Sequence, residues 1–65
     1  MTREELLSIL DRLLKHTTDA DAKLKRDYGP GATYYLAVIT EGPGKHIKVD
    51  KEYLADVRSL IARES

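Results

Sequence analysis

Two Gly-Pro-Gly triplets, Gly29-Pro30-Gly31 and Gly42-Pro43-Gly44, divide this chain and constrain what it can fold into. Proline lacks the backbone N–H and fixes φ, and glycine tolerates the conformations that end helices and tighten turns, so no regular element runs through either triplet. Between them lies Ala32–Thr40, the one long run with strand character: Ala-Thr-Tyr-Tyr-Leu-Ala-Val-Ile-Thr. The segment before the first triplet has helical periodicity. The segment after the second has room for a short strand and another helix. The fold class expected is therefore α+β in the order α-β-β-α. A long N-terminal helix and a shorter C-terminal helix pack on a two-stranded antiparallel hairpin within one domain, 1–65.

The first helix is expected over about 3–28. Thr2-Arg3-Glu4-Glu5 has capping-box spacing, and Glu4 and Glu5 suit the positive end of the helix dipole. Leu6, Leu7, Ile9, Leu10, Leu13 and Leu14 fall on one side, and Thr17, Ala20 and Leu24 continue the stripe. Asp19–Lys23 and Asp21–Lys25 have the favourable i, i+4 order. The β-branched pair Thr17-Thr18 is the one place where a break would occur. Unbroken, such a helix is about 39 Å long, against roughly 28 Å for the diameter of a compact globule of this length. It would overhang its own domain. Gly29 is expected as a left-handed C-cap, with Pro30 blocking continuation.

The strands are expected over about 32–40 and 45–49, joined by a type II turn with Pro43 and Gly44 at its centre. Strict alternation puts Tyr34, Leu36 and Val38 on one face of the first strand and Tyr35, Ala37 and Ile39 on the other. Both faces are apolar. In the second strand Ile47 and Val49 point inward, and His46 and Lys48 outward. Asp50 is placed to cap a helix over about 51–63, whose Tyr53, Leu54, Val57, Leu60 and Ile61 read as one core stripe.

Composition narrows function by subtraction. Sixty-five residues bury only about 60% of their unfolded surface, and small domains of this kind need a disulfide, a metal or a second subunit. The absence of cysteine removes disulfides and thiolate metal sites, which leaves idealised packing or association. No apolar run approaches a membrane span and the N-terminus lacks a signal-peptide pattern, so a cytoplasmic location is the expectation. Eleven basic residues balance eleven acidic ones, six and six up to Tyr28 and five and five beyond, which speaks against a protein that relies on neutralising phosphates.

No catalytic, cofactor or metal signature stands out. Gly42-Pro43-Gly44-Lys45 lacks the spacing of a phosphate-binding loop and leads into a strand rather than a helix. His16, Asp19 and Asp21 form an H-x-x-D-x-D string, but Asp21 falls off the face that His16 and Asp19 share, so a solvated helix face is expected in place of a metal site. His46 has no acid or nucleophile near it in sequence. An enzyme is not expected, and neither is a cofactor.

The expected function is association with protein: a homodimer that acts on a further protein as a small regulator, inhibitor or assembly factor. Its candidate interface is Leu24, Tyr28, Tyr35, Ala37, Ile39, His46 and Lys48. The alternative is a winged-helix-like nucleic-acid binder, with the first helix broken at His16-Thr17-Thr18. Residues 19–27 would then be the recognition helix and 42–45 the wing, with Lys23, Lys25, Arg26 and Lys45 facing phosphates. Asp19, Asp21, Asp27 and Glu41 oppose that reading. A third class is an idealised scaffold with no biological activity, which would melt above about 90 °C.

Overall fold

A computed structural model describes residues 1–64 and has the order α1 (Arg3–Tyr28), β1 (Ala37–Gly42), β2 (Lys45–Val49) and α2 (Lys51–Arg63). The expected α-β-β-α arrangement is the one observed, and α1 continues without a break through His16-Thr17-Thr18. Its capping box is complete: Thr2 Oγ1 accepts from the Glu5 N–H at 3.1 Å, and the Glu5 carboxylate accepts from the Thr2 N–H at 3.3 Å. These bonds satisfy two donors that the helix start would otherwise leave open. At α2 the Asp50 carboxylate does the same for the Tyr53 N–H, at 2.9 Å.

At the far end of α1 the Gly29 N–H still bonds to the Lys25 carbonyl, at 2.9 Å. Gly29 has φ 106° and ψ 170°, so it turns the chain in an extended, positive-φ conformation instead of the left-handed helical cap expected. That region belongs to glycine. Pro30 and Gly31 then form a turn closed by the Ala32 N–H on the Gly29 carbonyl, at 3.1 Å. Gly44 has φ 74°, as the second central residue of a type II turn requires.

The first strand starts five residues later than expected, at Ala37. Its register explains why: Ala37 pairs with Val49, Val38 with Lys48, Ile39 with Ile47 and Thr40 with His46. Continued backward, that register would set 32–35 opposite 51–54, the first turn of α2. No strand is there to receive them. Side chains of α1 take up their backbone groups instead, as described below. Toward the tip a bulge at Glu41 shifts the register so that Gly42 pairs with Lys45.

The two helices run antiparallel along each other. Lys51 reaches Asp21, Arg58 binds Asp11, and Arg3 donates to the Glu64 carbonyl. The core between them is small. Leu10, Val49 and Leu54 are buried, with Leu6, Leu13, Leu14, Leu36, Ile47, Val57 and Ile61 partly buried around them. The hairpin joins this core only at its base. Of the α2 stripe, Leu54, Val57 and Ile61 face inward, but Tyr53 and Leu60 remain 41% and 53% exposed, so the stripe is not all core. A helix only 13 residues long, packed on one partner, buries one narrow line of side chains and leaves its flank wet.

Thr17 is fully buried on α1, and its hydroxyl finds no partner among the described residues. Replacing it with valine keeps the shape and removes a desolvated polar group. The variant Thr17→Val is expected to gain about 1 kcal/mol in denaturant unfolding, read as a higher midpoint at unchanged m.

Candidate functional site

The most organised side-chain cluster lies where α1, the 29–36 segment and α2 meet, around Asp21. This residue is 2% exposed, although it carries a formal charge. Helical geometry puts it there: Leu10, Thr17, Asp21 and Leu24 recur at the spacing of one face, so the carboxylate points toward the packed side. Three donor groups meet it in four hydrogen bonds. Lys25 Nζ lies 2.9 Å from both carboxylate oxygens, Lys51 Nζ lies 3.1 Å from Oδ2, and the Tyr34 backbone N–H donates to Oδ1 at 3.0 Å. Lys25 also donates to the Ala32 carbonyl, at 2.7 Å.

The Tyr34 backbone N–H, followed by the Lys25 and Lys51 ammonium groups, holds the Asp21 carboxyl far below its ordinary value of 3.8. A carboxylate so satisfied is neither a base nor a free ligand at neutral pH. It acts as a clamp that ties three separate parts of the chain together. Beside it is an open cleft of about 290 Å³ lined by Asp21, Lys25, Thr33, Tyr35, Asp50, Lys51 and Glu52. Its cations and anions nearly balance, so its electrostatics favour no ligand charge. Among the described residues no group of three or more His, Asp or Glu side chains is placed to hold a metal ion. His16 and Asp19 lie on the exposed side of α1, while Asp21 turns the other way. His16 meets Tyr34 instead, with ring centroids 5.9 Å apart in an edge-on arrangement.

The residues expected at an interface fall in three places. Direct cross-strand partners share a face of a sheet, so the pairings put Ala37 and Ile39 with Ile47 and Val49 on one face of the hairpin. Val38 and Thr40 share the opposite face with Lys48 and His46. There His46 Nδ1 lies 3.2 Å from the Thr40 hydroxyl. Tyr35 precedes the strand and escapes its alternation. It lies on the Lys48 side, with the ammonium 5.3 Å from its ring centroid, so Tyr35 and Lys48 meet while Ala37 and Ile39 point away from them. Leu24 and Tyr28 are elsewhere, on the end of α1 that α2 does not reach. They line a shallow groove with Ala20, Lys23, Asp27 and Tyr34, and Tyr28 is 79% exposed.

No family model matches this chain, and neither the curated proteins nor the solved structures provide a match.

The residues considered for phosphate contact are dispersed in a similar way. Lys25 is turned inward onto Asp21, Arg26 Nε lies 3.4 Å from Asp27, Lys23 borders the groove beside Tyr28, and Lys45 begins β2 at the far end of the hairpin. The clamp at Asp21 was only half visible in the sequence. The Lys25 pairing follows from i, i+4 spacing, but Lys51 and the Tyr34 N–H come from 30 and 13 residues away. A local signal did exist: a lone carboxylate on the stripe of Leu10 and Thr17, which a helix face with no buried partner would not tolerate.

Proposed function

We infer that this chain acts by protein–protein association, as a homodimeric module that presents a surface to a further protein. The observation that carries this is an excess of surface. The chain exposes 4988 Å², whereas a compact monomer of 7.3 kDa exposes about 4,200 Å². The difference, about 800 Å², is what one partner contributes to a standard protein interface. Shape agrees: the radius of gyration is 13.6 Å, and the molecule measures 40 × 31 × 17 Å, against about 11 Å for the radius of a compact chain of this length.

The location of the excess matters as much as its size. Val38 and Ile39 on the hairpin are 53% and 49% exposed, and Leu60 on α2 is 53% exposed. Among the described elements neither helix packs on β1, whose element contacts are with β2. Scattered apolar side chains are ordinary on a surface, but a contiguous apolar run such as Ala37-Val38-Ile39 on a strand edge is less so. The winged-helix arrangement has less support, because it needs α1 to break near Thr17 and α1 is continuous. No helix among the described residues is long and apolar enough to cross a membrane.

Sedimentation equilibrium at tens of micromolar tests the association. The expected mass is twice 7.3 kDa. A single species at the monomer mass would overturn the reading.

A further inference from the structure

We propose that two copies join through the outer edge of β1, antiparallel about a two-fold axis at Ile39, to form one four-stranded sheet in the order β2-β1-β1-β2. This rests on the association inferred above and names the surface that performs it. The two edges of the hairpin are unlike. The outer edge of β2 is guarded by Lys45 and Lys48, the residue type with which natural proteins discourage strand pairing. The first four residues of β1, Ala37-Val38-Ile39-Thr40, carry no charge, and all of them are exposed. Among the described residues its outward N–H and C=O groups have no partner strand, because the sheet they form is β1 and β2 alone.

Charge then chooses among the three ways two such hairpins can meet. Joining β2 to β2 about Ile47 would crowd four lysines, Lys45 and Lys48 of each copy, along one seam, and like charges brought together there are unfavourable. Joining β1 to β2 head to tail leaves a free edge at each end, so it adds copies without closing. Joining β1 to β1 closes at two copies and leaves only the lysine-bearing edges outside. With the axis at Ile39, Val38 lies opposite Thr40, and the cross-strand pair Ile39–Ile47 meets its copy. One face of the new sheet then carries an unbroken row, Ile47-Ile39-Ile39-Ile47. That row continues the apolar face which begins at buried Val49 and emerges into solvent at Ile39.

The chain lacks cysteine, so a single introduced thiol reports on its own neighbours. Paired residues in antiparallel strands have Cα atoms about 4.5–5.5 Å apart, inside the range a disulfide spans. Ile39 and Leu60 are both exposed, so neither Ile39→Cys nor Leu60→Cys opens a cavity. Each variant is oxidised in a glutathione buffer and run on a non-reducing gel, beside sedimentation of the unaltered protein. The expected result is a dimer by sedimentation, with Ile39→Cys mostly cross-linked and Leu60→Cys mostly not. A dimer in which Leu60→Cys links and Ile39→Cys does not would overturn the β1 edge and leave the association standing. A monomer by sedimentation would overturn both.

Discussion

Asp21→Ala is expected to lower the melting temperature by roughly 10 °C or more, the range of the large single-site effects that follow loss of a buried polar network. The substitution removes the acceptor for four hydrogen bonds and leaves the Tyr34 N–H without the partner it has in the native fold. Three parts of the chain lose their common anchor: the middle of α1, the segment that leads into β1, and the first turn of α2. Circular dichroism melts of the parent, Asp21→Ala and Asp21→Asn separate the contributions. Asparagine retains an oxygen for Tyr34 and loses the charge that holds Lys25 and Lys51, so its melting point should fall between the other two. If alanine melts within 2 or 3 °C of the parent, the clamp contributes nothing of consequence.

The same residue sets the acid limit. Its folded-state pKa lies below its ordinary value of 3.8, so the unfolded chain binds the proton first as pH falls. Stability from this group is therefore complete above that value and is lost as pH drops below about 4 toward the folded-state pKa. Asp11, lowered by its hydrogen bond to Arg58, acts in the same direction, but both side chains are substantially exposed and water screens the pair. Melting temperature should thus be flat from pH 7 to about 5 and then decline. Asp21→Asn should show a shallower decline, because the residue with the larger shift is gone.

How much of this could be read from residue order follows the range of the interactions involved. The capping box at Thr2 and the Asp50 cap are set by neighbours within one helical turn, and the sequence shows both; it favours an unbroken α1 but leaves a break at His16-Thr17-Thr18 open, and α1 is continuous. The start of β1 is not local. Thr33, Tyr34 and Tyr35 have the composition of a strand, yet the ladder stops at Ala37 because the chain opposite becomes α2 at Lys51. Alternation then failed where the strand failed. Tyr35, which alternation groups with Ala37 and Ile39, lies instead beside Lys48. At Asp21 the fold brings a lysine from α2 and an N–H from the preceding segment to one carboxylate, and no spacing rule encodes that meeting. Of the candidate interface residues, Tyr35 and Lys48 come together, Ala37 and Ile39 share the other face, and Leu24 and Tyr28 stand apart on α1.

Leu54→Ala should be the most damaging apolar substitution, and its effect should depend on protein concentration. Leu54 is 5% exposed and sits with Leu10 and Val49 at the centre of the core. Truncating a buried leucine costs about 2–5 kcal/mol, while a chain of this length has in total about 3–10 kcal/mol of stability. A lone protomer with three buried hydrophobic residues belongs toward the low end of that range, so the variant should be largely unfolded when dilute. Association adds stability in proportion to the logarithm of protomer concentration. Raising the concentration from one to one hundred micromolar should therefore raise the melting temperature of the parent and restore part of the helical signal of Leu54→Ala. Melts that superimpose at both concentrations would show that each chain folds alone, and the small core between α1 and α2 would then have to suffice.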